Sequence, residues 1–336
     1  MKHLLGRVAV AAIAVAFATE AMATEWNVSL WGKRRAFTEH VEKLAELVSE
    51  KTNGEFTLNI SYGGLSKNKE NLDGISIGAF EMAQFCAGYH RDKNPTITVL
   101  ELPFLGVNTL EEEVAVSNAV YAHPAVQKDL ARWNAKLLMP SPMPQYNIVG
   151  RGEPVQTLDD FKGMRVRATG GIGKAFEAVG AVPTSVTATE AYNAMESGVV
   201  DTVAFAPHAH LAFRTIDIAE WWTENLNPGT VNCPVVVNID AYNALSDSER
   251  EALDSSVDEA VQHYVDNYKQ LLVKWDGILE EKSVTRVKLS DDVINAFRAA
   301  AADPIREQWI KDMSAQGLPA QELYDLVMET LKKQRM

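Results

Sequence analysis

Two arginines two residues apart, Arg165 and Arg167, end a short segment that runs into Gly170, Gly171 and Gly173 in "RVRATGGIGKAFEAVGA". A guanidinium can give an anion two parallel hydrogen bonds, and the first amides of a helix carry unsatisfied donors and partial positive charge. Together these residue types suit the capture of an anion. A nucleotide is excluded on spacing. A P-loop needs glycine where Ala168 stands and Ser or Thr after Gly173-Lys174, where Ala175 stands. A dinucleotide fingerprint needs a third small residue where Phe176 stands. The remaining reading is a seat for the carboxylate of a small organic acid, with the amides near Gly171 and one of the two arginines supplying donors. The bland alternative is that either arginine makes a surface ion pair.

Other reactive residue types do not assemble into a centre. His208-Ala-His210 follows Pro207, which reads as a helix start, so the two rings diverge and no third ligand stands nearby. A hydrogen bond from His208 to a ligand is the better use. No G-x-S-x-G elbow or H-E-x-x-H motif occurs, and nothing electropositive flanks Cys86 or Cys233 to activate a thiol. No cofactor motif is present, and the chain does not read as an enzyme. The two cysteines lie in apolar, strand-like runs, "EMAQFCA" and "NCPVVVN", where buried free thiols are the default and a disulfide the alternative.

The formal charge of −13 repels nucleic acid, so an anionic ligand must meet a local positive site. The chain opens with a basic head (Lys2, Arg7), an apolar run from Val8 to Ala18, and Ala21-Met22-Ala23. That pattern predicts a secretory signal over residues 1–23, cleaved after Ala23, and hence a periplasmic protein.

Strands ending at Trp31 and at Tyr89-His90 alternate with helical patterns, and a second such run begins near Leu158. Strand, helix, strand means parallel pairing with helical crossovers, so the fold class is α/β with two lobes. Ligands bind beyond the carboxyl ends of such strands, which makes Trp31, Tyr89 and His90 first-lobe candidates. Trp221-Trp222 alternate, so one should be buried and the other face the cleft. Ser246 and Glu249 form a capping box, after which Leu253 to Trp275 recur at helical spacing without a break. One long helix is expected to span both lobes; a coiled-coil dimer is the competing use, and a monomer is expected.

Within this pattern "LDDFKGMRVRATGGIGKAFEAVGAVPTSVTATEAYNAMESGVVDT" resembles the core signature of the solute-binding proteins of tripartite ATP-independent periplasmic (TRAP) transporters, the C4-dicarboxylate-binding type. That signature runs D-L-K-G-x-K-x-R-x, a helix ending A-L-G-A-x-P, then E-x-Y-x-A-L-x-x-G-x-V-D-G. "TNGEFTLNISYGG", "ELPFLG" and "YNALSDSEREAL" are further echoes, in the same order. The resemblance implies a periplasmic-binding-protein fold with a hinge that closes on a small organic acid and delivers it to TRAP membrane subunits. Its lobes would comprise 24–146 plus 233–275 and 147–232 plus 276–320, with 321–336 a C-terminal helix. A ligand-sensing subunit of a membrane receptor would share the whole site, and a periplasmic hydrolase or lyase is the remoter rival.

The family's carboxylate-pairing arginine falls on Arg167, not Arg165. In sialic-acid-binding relatives a second arginine would fall at Asn147, an aromatic at Ala188 and an asparagine at Phe205. These departures point away from sialic acid. They imply a smaller or more apolar acid on Arg167, with Asn147, Phe205, His208 and Asn232 as second-lobe and linker contacts. A monocarboxylate is expected over a C4-dicarboxylate unless Lys33, Arg34, Arg35 or Arg91 brings a second cation from the first lobe.

Overall fold

A computed structural model describes residues 23–336; the expected secretory signal lies, but for Ala23, outside the described residues. The chain begins with β1 (Thr24–Leu30), α1 (Glu39–Lys51), β2 (Phe56–Tyr62), α2 (Asn71–Ser76) and β3 (Met82–Gln84). In β1 alternate residues Trp26, Val28 and Leu30 point into the core. α1 buries Val41, Leu44, Leu47 and Val48 against the sheet, each contributing about 1.5–3 kcal/mol when fully covered. It stops where Gly54, at φ +82°, lets the amide turn back to the Ser49 carbonyl. Then come α3 (Leu110–Tyr121), α4 (Pro124–Ala131) and β4 (Ala135–Met139).

The second lobe holds β5 (Asn147–Gly150), β6 (Arg165–Arg167), α5 (Gly170–Ala178), β7 (Val182–Thr184), α6 (Ala191–Glu196), β8 (Thr202–Phe205), α7 (Pro207–Ala212) and β9 (Trp221–Thr223). The chain returns through β10 (Val235–Asn238), α8 (Ile239–Ala244) and α9 (Asp247–Asp254) to α10 (Val257–Glu281), then β11 (Thr285–Val287), α11 (Asp291–Ala315) and α12 (Ala320–Gln334). The first sheet has the order β2-β1-β3-β10-β4 and the second β11-β9-β5-β8-β6-β7. The expected parallel crossovers are β1 with β2 and β3, and β6 with β7 and β8. Each sheet is nevertheless mixed, because β10 and β5 enter antiparallel to their neighbours.

Three details differ from the sequence reading. The helix after Ser246 is broken: its capping box with Glu249 forms, but α9 ends at a serine pair whose second hydroxyl, on Ser256, bonds the Ala252 carbonyl at 2.6 Å. α10 still runs for about 37 Å. Tyr264 packs on His40 of the first lobe, and Trp275 packs on His210 and Trp222 of the second. Both Trp221 and Trp222 are buried and neither lines the cleft: the Trp222 ring packs on Trp275 of α10, and the Trp221 ring lies over Gly150 of β5, where a Cβ would fall 2.1 Å from it. α11 is not confined to the second lobe. Phe297 packs on Phe161 and Phe176 there, while Trp309 donates to Thr98 of the first lobe at 2.9 Å.

Cys86 and Cys233 are paired. They lie opposite one another where the chain beyond β3 runs beside the chain entering β10, between the bonds Phe85 N–H to Pro234 O and Ala87 N–H to Asn232 O. At a sequence separation of 147, only the sheet brings them together.

Candidate functional site

Between the lobes lies a cleft with about 400 Å³ of atom-free space, divided among narrow gaps between aromatic rings. Its walls come from the carboxyl ends of strands, as α/β topology requires. Trp31 follows β1, Tyr89 follows β3, Arg167 ends β6, and Phe205 ends β8. His208 and Phe213 come from the segment around α7, Met143 and Tyr146 from the β4–β5 crossover, and Phe37 from the turn before α1.

Arg167 is 2% exposed. Its Nε–H donates to the Val186 carbonyl at 3.0 Å, Nη1 to the Ala204 carbonyl at 3.3 Å and Nη2 to the Tyr89 hydroxyl at 2.8 Å. Its plane lies over Phe205, 4.4 Å from the ring centre. A guanidinium has five N–H groups, so one on each terminal nitrogen is left over, the pair that forks onto a carboxylate. All three partners are neutral, so this buried cation has no counter-ion among the described residues. Tyr89 ties the lobes together: its hydroxyl accepts from Arg167 and from the Ala188 amide at 3.0 Å. Arg165, two residues earlier at the start of the same strand, is exposed and paired with Asp201.

The amides near Gly171 do not serve as an open anion seat, because the protein's own Glu101 packs there. A Cβ on Gly171 would fall 1.6 Å from the Glu101 carbonyl oxygen, and one on Gly170 2.3 Å from Glu101 Oε2. The glycines are what let the first-lobe segment 96–101 abut the start of α5. Burial pushes the Glu101 carboxyl up to about 7, against the opposing effects of Arg91 and of the Asn232 and Gly88 amides.

His208 lines the cleft, stacked on Phe37 at 5.1 Å, and its Nδ1 shares a hydrogen bond with the Tyr268 hydroxyl at 2.5 Å. Burial holds its pKa well below the ordinary range, so it is a neutral ring. His210 points elsewhere, onto Thr215 at 2.8 Å.

The cleft thus gathers Trp31, Tyr89, Arg167, Phe205 and His208 from the sequence candidates, and leaves out Asn147, His90 and Asn232. Asn147 donates to Asn227 Oδ1 at 2.8 Å, and its own Oδ1 accepts from Leu226 N and Thr223 Oγ1. His90 packs on Phe85, and Asn232 is held by Tyr121 and Glu101. Phe37, Tyr146, Thr169 and Phe213 escaped sequence reading, since apolar residues at element ends read as core. We expect Asn147→Ala to lower stability by about 2 kcal/mol, from the buried partners left unmet, while changing ligand affinity less than threefold by calorimetry.

Over residues 28–312 the chain matches the family "bacterial extracellular solute-binding protein, family 7". The outer membrane transporter protein TsaT of Comamonas testosteroni is 24% identical over 290 residues, covering 85% of this chain and 84% of that protein. The monocarboxylate 2-oxoacid-binding periplasmic protein of Nostoc sp. is 24% identical over 308 residues, covering 84% and 82%. A TRAP solute-binding protein from a marine metagenome, specific for aromatic acid ligands and solved with meta-hydroxyphenylacetate, superimposes with a TM-score of 0.84 at 20% identity, over 92% of this chain and 99% of that one. The matched family and the solved TRAP solute-binding protein are solute-binding receptors, not enzymes. With the signature motifs in order, two lobes around a buried arginine, and a family match over most of its length, the chain belongs to the family 7 bacterial extracellular solute-binding proteins, the solute receptors of TRAP transporters.

Proposed function

We propose that the protein captures a small organic acid with an aromatic body, holds its carboxylate on Arg167, and delivers it as a periplasmic monomer to TRAP membrane subunits. The observation that carries this reading is the Arg167 guanidinium: buried, aimed into the cleft, and without a protein counter-ion. An unpaired buried charge costs several kcal/mol, and a ligand carboxylate removes that cost. The rings of Trp31, Phe37, Tyr89, Phe205 and Phe213 suit a flat apolar body, where an aliphatic diacid would leave polar atoms against ring faces. Relatives named for monocarboxylate 2-oxoacids and for aromatic acids agree with that choice. The lobes, dividing near residues 146/147 and 232/233, close because the ligand touches both; Tyr89 and Arg167 already meet across the cleft.

A thermal-shift screen tests the reading. Benzoate, mandelate or 3-hydroxybenzoate at 100 times its Kd should add about 2.7 kcal/mol to stability, a rise of several degrees. Succinate and malate should bind at least tenfold more weakly. A C4-dicarboxylate that outcompetes every aromatic acid tenfold would overturn the assignment.

A further inference from the structure

Lys33, Arg34 and Arg35, three of the sequence candidates for a second cation from the first lobe, part company in the fold. Arg34 turns outward to Glu42, whereas Arg35 turns inward and is 8% exposed. Arg35 caps the short turn before α1: its amide donates to Thr38 Oγ1 at 3.2 Å, and the Thr38 hydroxyl returns a bond to the Arg35 carbonyl at 2.8 Å. That exchange fixes the backbone so that the guanidinium slides between rings. It lies 4.3 Å from the Trp31 ring centre, 5.1 Å from Phe37 and 5.4 Å from Phe213, all three of which wall the cleft.

Only Nη1 is engaged, with the backbone carbonyls of Lys33 at 2.6 Å and Trp31 at 3.1 Å. Nε and Nη2 are buried and meet no acceptor among the described residues. Those two nitrogens lie along one edge of the guanidinium and form the fork that grips a carboxylate or sulfonate. Burial with no neighbouring carboxylate lowers the Arg35 pKa to about 10, still far above neutrality, so the group remains charged. Most buried polar groups in proteins find partners, and an unmet edge on a buried guanidinium offers a place for a group of opposite charge. Arg35 and Arg167 also share one ring ladder. Arg35 lies against Phe213, Phe213 packs on Phe205 at 5.9 Å, and Arg167 lies over Phe205.

We infer that Arg35 is a second anion-binding group, contributed by the first lobe, and that the ligand is an aromatic acid bearing a second anionic group across the ring from the carboxylate held by Arg167. This rests on the organic-acid reading of the same cleft and narrows it. The cationic edges would bracket the ring body from opposite lobes, so the second group would favour closure as well as affinity.

Calorimetry with benzoate and terephthalate tests it on the full mature chain. Wild type should bind terephthalate at least tenfold more tightly than benzoate. Arg35→Met, which keeps the stem packed between the rings but removes the charge, should abolish that preference while leaving benzoate within about threefold of wild type. Arg35→Lys, retaining charge, should keep part of it, and circular dichroism melts would show that both variants fold. Equal affinity of wild type for the two acids, or a preference that survives Arg35→Met, would overturn the role of Arg35 and leave the organic-acid reading standing. Failure of both acids to bind wild type would overturn both.

Discussion

Arg167→Ala should weaken binding of an aromatic acid roughly a hundredfold, about 3 kcal/mol, because it removes one partner of a desolvated charge pair and leaves the other buried. Three neutral contacts hold the guanidinium: Val186 O, Ala204 O and the Tyr89 hydroxyl. These set its plane against Phe205 before any ligand arrives, so little side-chain entropy is lost on binding. Arg167→Lys retains the charge but loses the fork, and should recover only part of the affinity. Arg165→Ala is the control. Its guanidinium is exposed and paired with Asp201, so the change should cost at most about 1 kcal/mol of stability and leave affinity intact. Calorimetry giving Arg167→Ala the wild-type Kd, or Arg165→Ala the larger loss, would remove the clamp from this arginine.

The choice between these two arginines was legible because the family motif marks Arg167, which stands at the carboxyl end of the strand where ligands bind, while Arg165 stands at its start. Residue type and periodicity likewise gave the α/β alternation, the parallel crossovers, and a helix reaching across both lobes, since each is a local pattern repeated along the chain. What could not be read depends on which distant segments meet. Asn147 looked like a ligand contact because relatives differ there, yet its amide is consumed by Asn227, Thr223 and Leu226, some 80 residues away. Arg35 could not be told from Lys33, Arg34 and Arg91 as the source of a second cation, because a hydrogen-bonded turn is what sends it inward. The glycines at the start of α5 read as an anion seat, whereas the structure uses them for a close approach of another segment. The approaching group is Glu101, a residue that sits within "ELPFLG" and carries no local sign of its destination. Cys86 and Cys233 are neighbours only through strand order.

Glu101→Gln should stabilise the protein by about 3 kcal/mol at pH 8 and by almost nothing at pH 4.5. The carboxyl is fully buried between the lobes, with Oε1 accepting from the Asn232 amide at 3.2 Å and Oε2 meeting no donor among the described residues. Burial raises its pKa from 4.5 to about 7, so the folded state holds a proton that the unfolded chain releases. The sign follows. Below pH 4.5 both states are protonated and the site carries no penalty; between 4.5 and 7 the penalty for charging a buried acid grows, and above 7 it stays constant. Glu113, raised to about 8 by burial, acts in the same direction. Buried histidines oppose them: His40 and His210 are lowered to about 3, His90 to about 4 and His208 well below its ordinary value, so their contribution is lost as pH falls below 6.5. Four histidines outweigh two acids between pH 4.5 and 6.5, and the acids act alone above it. Stability should therefore peak near pH 6.5 and decline modestly towards 8. Glutamine keeps the acceptor for Asn232 and removes the titration, so urea unfolding of Glu101→Gln should show the decline above pH 6.5 reduced to the part that Glu113 supplies. An equal shift in midpoint at pH 4.5 and pH 8 would mean that Glu101 acts by packing alone and is not charged in the folded protein.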